Sequence, residues 1–180
     1  MDPISIQVNA SEMELARAYA KKFELGGRSF RDRASRMENL GIDQLVGVLG
    51  EMAFCRYLTG DINLWRLTKW ARFQCFSQND NGQDILGLNV DVKTSLVRSS
   101  SLPISEYRLA VREEELRTDT IYISCLITGM TDEAALVNIM GWADREALPD
   151  LAVTEGTWAG SHVLPVNRLH KLPDLRWFGR

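Results

Sequence analysis

Glu51, Asp84, Asp91 and Lys93 are acids and a lysine at positions that set them on neighbouring elements: Glu51 in GVLGEMAF, Asp84 in NDNGQDILG, and Asp91 and Lys93 in VDVKTS. Three hard carboxylates and one ammonium are the inventory for holding Mg²⁺ on a phosphodiester while a cation offsets the developing negative charge. In a strand, residues two apart share a face. Asp91, Lys93 and Ser95 therefore line one side and Val90, Val92 and Thr94 the other. Gly87, Leu88 and Asn89 fall where the chain must reverse. A two-residue connection through Leu88 and Asn89 pairs Gly87 with Val90, Leu86 with Asp91 and Asp84 with Lys93, and brings both carboxylates to the ammonium. A three-residue connection sends Asp84 to the other face, so the expectation rests on register.

The elements that must carry these groups are legible in outline. From Ile42 to Leu58, apolar Ile42, Leu45, Val46, Leu49, Met52 and Ala53 recur at helical spacing, which predicts a helix with one buried face. Val48, Gly47, Phe54 and Cys55 surround Glu51 on that helix, so its carboxylate needs a partner. Gly47 and Gly50 each weaken a helix by roughly 1 kcal/mol relative to alanine, a cost accounted for if a strand approaches closely there. Ser11 and Glu14 form a capping-box pattern ahead of a helix carrying Met13, Leu15, Ala16, Tyr19, Ala20 and Phe23 and ending near Gly26 and Gly27. Further on, Tyr107 to Val111, Thr120 to Thr128 and Ala135 to Met140 read as strands, Arg112 to Arg117 as a charged helical turn, and Trp142 to Leu148 as a short helix. The stretch from Gly156 reads as irregular.

In combination these residues resemble the PD-(D/E)XK nuclease superfamily, the restriction-endonuclease-like nucleases. That family's signature is an Asp at the start of one strand and an acid-any-Lys triplet on the next, often with a Glu from the preceding helix. The matching positions are Asp84, Asp91-Val92-Lys93 and Glu51, over about a quarter of the chain. Gln83 stands where the family has proline, which leaves the ligands intact. The resemblance implies an α/β three-layer sandwich with a mixed central sheet flanked by helices, and a Mg²⁺-dependent deoxyribonuclease, with Mn²⁺ as a substitute, that leaves a 5′-phosphate. Asp84 and Asp91 would then hold one Mg²⁺ with the Val92 carbonyl as a further ligand. Glu51 would bind a second metal or orient a water, Lys93 would position or help deprotonate that water, and Gln83 and Ser95 would stand behind them. Taken singly, the same residues have plainer readings: Glu51 paired with Arg56 or a nearby loop, Asp84 as a turn or cap residue after Asn79, Asp80, Asn81 and Gly82, and Asp91 with Lys93 as an exposed ion pair.

With 180 residues, 45% hydrophobic, and no linker, repeat or low-complexity run, the chain is expected to be one domain with a catalytic core over about 42–128. Residues 1–8 lack a signal-peptide pattern and no stretch has the roughly 18 apolar residues of a membrane span, so a cytoplasmic protein is expected. Cys55, Cys75 and Cys125 form no CxxC pair and read as reduced, mostly buried thiols. Only His162 and His170 are present, which disfavours histidine-centred or zinc hydrolysis. A net charge of -3 excludes a general DNA-coating protein, and any DNA contact must be local. Arg28, Arg31, Arg33 and Arg36 are one candidate, with an amphipathic segment as their equal alternative. Arg66, Lys69 and Arg72 among Trp65, Trp70 and Phe73 are a second, for which an amphipathic segment with its aromatics in the core is preferred. DNA is the expected partner and a two-fold homodimer the default for cutting both strands. A DNA-binding protein that keeps the fold without cleavage, and an α/β domain with merely exposed acids, are the alternatives. Metal dependence separates the first two.

Overall fold

A computed structural model describes residues 3–25, 40–75, 84–85, 87–97 and 103–172. Arg28, Arg31, Arg33, Arg36 and Gln83 lie outside the described residues. Strands β1 (Ile4–Val8), β2 (Val90–Leu96), β3 (Arg108–Arg112), β4 (Ile121–Met130), β5 (Ala135–Ala143) and β6 (Ser161–Pro165) accompany helices α1 (Ala10–Leu25), α2 (Leu40–Thr59) and α3 (Asn63–Cys75). The fold is α/β. Four strands form a mixed sheet in the order β1-β5-β4-β2, in which only β2 and β4 run parallel. β3 and β6 make a separate antiparallel pair.

Both faces of the sheet are covered, because the strands alternate apolar side chains between two cores. Val90, Val92, Ile123, Cys125, Ile127, Val137 and Ile139 meet Met13, Ala16, Leu49, Met52, Phe54 and Trp65 of the helices. Tyr122, Leu126, Met140 and Ala143 meet Leu109, Val111 and Leu164 of the β3–β6 ribbon. The layers are thus helices, sheet and ribbon. Where helices were expected on both faces, the described residues cover the second with β-structure, since the period-two stretches at β3 and β6 pair with each other. No helix among the described residues is long and apolar enough to cross a membrane. Cys55 and Cys125 are free and buried.

The helix over 42–58 forms with an extra residue or two at each end. Of its glycines, Gly50 meets the expectation of close approach: a methyl added there would overlap Thr94 Oγ1 and lie 2.9 Å from Thr94 Cβ. Nothing lies within 4 Å of the same position on Gly47. The α1 cap falls two residues earlier than the Ser11–Glu14 pattern. Asn9 Oδ1 accepts the Glu12 N–H at 3.1 Å, and Glu12 Oε2 accepts the Asn9 N–H at 3.0 Å. Glu12 also pairs with Arg56, whose guanidinium donates to the Gln7 carbonyl at 2.7 Å, tying α2 to β1.

Three further expectations are corrected. β5 continues through Trp142, which bridges to His170, so no helix begins there. The chain turns only afterwards, where Asp144 accepts the Ala147 N–H at 2.9 Å. The stretch after Gly156 contains β6 rather than being irregular throughout. Asp84 and Ile85 form a bend rather than a strand, and Asp84 opposes Val90 instead of Lys93, its N–H donating to the Val90 carbonyl at 2.9 Å. Leu88 N–H closes a turn on the Ile85 carbonyl at 3.1 Å, with Gly87 at φ +79°. Ile85 is fully buried in the helix-side core, and that anchorage lengthens the connection beyond two residues.

Candidate active site

β2 builds the centre of the site. Its alternation places Val90 and Val92 in the helix-side core and turns Asp91 and Lys93 to the ribbon side, as the sequence pattern requires. Lys93 Nζ lies 2.9 Å from Asp91 Oδ2 and 2.8 Å from Glu115 Oε2. Glu115 ends the 3₁₀ turn Glu113–Glu115 that follows β3. Tyr122, which sits beside Asp91 in the β2–β4 register, secures that turn. Its hydroxyl donates to the Glu115 carbonyl at 3.1 Å and accepts the Arg117 N–H at 2.7 Å.

Asp84 reaches the same strand from its outer edge. Asp84 Oδ2 accepts the Val92 N–H at 2.6 Å, so a carboxylate occupies the place of a further strand's carbonyl. A strand residue points its N–H and C=O to the same edge, which directs the Val92 carbonyl toward the side that carries Asp84. The opposite edge of β2 is used by β4, where the Ile121 N–H donates to the Asn89 carbonyl at 2.9 Å.

The electrostatics of the cluster follow from burial. Desolvation pushes the Asp91 carboxyl up to about 7; Lys93 draws it down, while nearby Asp84 and Glu115 add to the rise. Burial works against the Lys93 ammonium, yet Asp91 and Glu115 outweigh it and hold Lys93 above the usual amine range. Lys93 is therefore a permanent cation beside an acid that gives up its proton reluctantly. Asp84, Asp91 and the Val92 carbonyl are hard oxygen donors of the kind Mg²⁺ takes while keeping several waters, and a divalent cation there would offset the lesser, repulsive part of the rise at Asp91. The donor set fits such a cation. Among the described residues, no group of three or more His, Cys, Asp or Glu side chains is arranged to enclose a metal ion.

Glu51 does not join the cluster through its observed contacts. It lies on α2, on the helix side of the sheet, where its Oε2 pairs with Lys69 Nζ and accepts the Trp65 Nε1–H at 3.0 Å. Lys69 is nearly fully buried and lies 5.5 Å over the Tyr19 ring. Glu51 has the partner that its apolar surroundings demand, but that partner is an ammonium from α3. Arg56, the alternative partner, is committed to Glu12.

The basic and aromatic run of α3 divides accordingly. Trp65 and Lys69 turn inward, whereas Arg66, Leu67 and Trp70 are exposed, Trp70 at 63%. Ser95 shares the face of Lys93 and is half-buried opposite Leu126.

Glu115 and Tyr122 are contributors that pattern reading does not single out, and Lys69, read from the sequence as part of a basic and aromatic run, is instead the partner of Glu51. Glu115 sits in a run of three glutamates without periodicity, so only tertiary structure distinguishes it from Glu113 and Glu114. Lys69 carried one signal: it stands four residues after Trp65, on the same helical stripe. Compared with protein-family models, curated proteins and solved structures, the chain matches none.

Proposed function

We propose that the chain is a metal-dependent DNA endonuclease that hydrolyses phosphodiester bonds by a PD-(D/E)XK-type mechanism, on a restriction-endonuclease-like variant of its α/β fold. One observation carries this reading: Lys93 is ion-paired to Asp91, and the Asp84 carboxylate is fixed on the Val92 N–H between them. Asp84, Asp91 and the Val92 carbonyl would hold Mg²⁺, or Mn²⁺ in its place. The cation, when bound, supplies charge neutralisation at the scissile phosphate and a more acidic attacking water.

This chain's own residues do the remainder. The Val92 N–H orients Asp84 before any ligand arrives, and burial keeps bulk water from Asp91, so both carboxylates favour a divalent cation over solvent. Lys93 presents a compact ammonium that holds the attacking water and offsets the charge gathering on the phosphate oxygens. Glu51, engaged by Lys69 and Trp65, acts in this scheme by fixing α3 against α2. DNA is the substrate and a two-fold homodimer the working assembly, with one site for each strand.

A non-cleaving DNA-binding protein is the second reading, favoured by the engagement of Glu51 with Lys69. Nicking of supercoiled, linear and four-way DNA in Mg²⁺, Mn²⁺ and EDTA separates the two. The wild type is expected to cleave in either metal, and Asp84→Ala and Lys93→Ala to remain folded by thermal melt and lose cleavage. A wild type that binds DNA in Ca²⁺ but cleaves nothing in Mg²⁺ or Mn²⁺ establishes the second reading. Undiminished cleavage by either variant places the active site elsewhere.

A further inference from the structure

Lys93 has two carboxylate partners where one would satisfy it, and the second comes from a separate part of the chain. Asp91 is two residues away on the same strand, while Glu115 is brought over from the β3–β4 connection, and the two oxygens stand 2.9 and 2.8 Å from Nζ. The turn that offers Glu115 is itself pinned by the fully buried Tyr122, through bonds to the Glu115 carbonyl and the Arg117 N–H. A surface glutamate that simply swung onto a lysine would need no such support.

Resting on the function proposed above, we infer that Glu115 is the positioning residue for Lys93, retaining the ammonium when Asp91 turns its carboxylate to a divalent cation. Asp91 cannot serve Lys93 and a cation fully at once. Without Glu115, Lys93 falls back on Asp91 and a cation must displace it; with Glu115, the ammonium keeps a partner and its place beside the phosphate. Glu115 acts through Lys93 and not as a ligand. Tyr122 contributes by fixing where Glu115 stands.

Mn²⁺ binding, measured by calorimetry on the full chain without DNA, tests this apart from cleavage. Glu115→Gln, an isosteric change at a partly exposed side chain, should leave the thermal melt in place and weaken Mn²⁺ binding by about tenfold, the low end of what loss of an outer partner costs a metal site. In a Lys93→Met background the same substitution should change affinity by less than about twofold, because the group through which Glu115 acts is gone. A full loss that persists in that background overturns the inference and makes Glu115 a ligand or a simple source of charge. An unchanged affinity on Glu115→Gln alone overturns it as well. A wild type that binds no Mn²⁺ overturns the metal-dependent reading first and this inference with it. If Mn²⁺ binds normally but DNA is never cut, the positioning role stands and the activity falls.

Discussion

Without a divalent metal, Asp91→Asn should make the protein more stable, and Mg²⁺ should remove that advantage. Burial pushes the Asp91 carboxyl from an ordinary 3.8 to about 7. At about 1.4 kcal/mol per unit, that rise sets a ceiling of about 4 kcal/mol on the cost of ionising Asp91 in the folded chain. Local relaxation and entering water reduce such costs, so about 2 kcal/mol is the working expectation. The sign follows from the direction of the shift. The folded state holds this proton more tightly than the unfolded state, so the cost is absent below about pH 4, where both are protonated. It grows through the interval up to about 7 and is complete above it.

Asparagine keeps the shape and carries no charge, so its advantage should be largest at pH 8 and vanish near pH 4. For a chain of this length, about 2 kcal/mol corresponds to roughly 4–8 °C in melting midpoint. Mg²⁺ at a hundred times its dissociation constant stabilises the wild type by about 2.7 kcal/mol and gives little to the variant, which erases the difference. Melts of both proteins at several pH values, in EDTA and in Mg²⁺, constitute the assay. A stability gain independent of pH, or none at pH 8, refutes the account of Asp91. Melts that do not respond to Mg²⁺ refute its assignment as a ligand.

Gly50→Ala should cost about 1–3 kcal/mol by forcing α2 off Thr94, whereas Gly47→Ala should be neutral or gain up to about 1 kcal/mol, both read by denaturant titration. The reverse ranking would contradict the α2–β2 contact. Lys69→Met takes the ammonium from a mostly buried Glu51 carboxylate, which keeps the Trp65 Nε1–H, and should cost about 3 kcal/mol, most of it recovered by adding Glu51→Gln. If Lys69→Met melts like the wild type but loses cleavage, Glu51 and Lys69 belong to the reaction and not to the scaffold.

What the sequence reveals depends on how far a residue's position is settled by its own element. The division of 90–96 into a buried and a chemical face needs nothing beyond strand alternation, and it holds. β1 carries the same alternation, Ile4, Ile6 and Val8 against Ser5 and Gln7, and was as legible as the equally short stretch Tyr107 to Val111. The register of Asp84 was out of reach because burial of Ile85 decides it, and that depends on the assembled core. The α1 cap is a milder case. Asn9–Glu12 and Ser11–Glu14 offer the same reciprocal bonds two residues apart, and the choice falls to the pair that Arg56, from another helix, can also hold.

Glu51 and Glu115 show the same limit at the candidate site. The apolar flank of Glu51 correctly requires a counter-charge, but a metal ion and a lysine satisfy that requirement equally, and Lys69 arrives on a helix whose placement no local pattern encodes. Once β2 turns Lys93 toward the ribbon, any further partner for it comes from the chain on that side of the sheet. The β3–β4 connection is there, and its 3₁₀ turn delivers Glu115. An acidic run that reads as a solvated turn thus becomes the second hold on the lysine, because parallel pairing of β2 with β4 sets Tyr122 beside Asp91 and the Tyr122 hydroxyl draws the turn in.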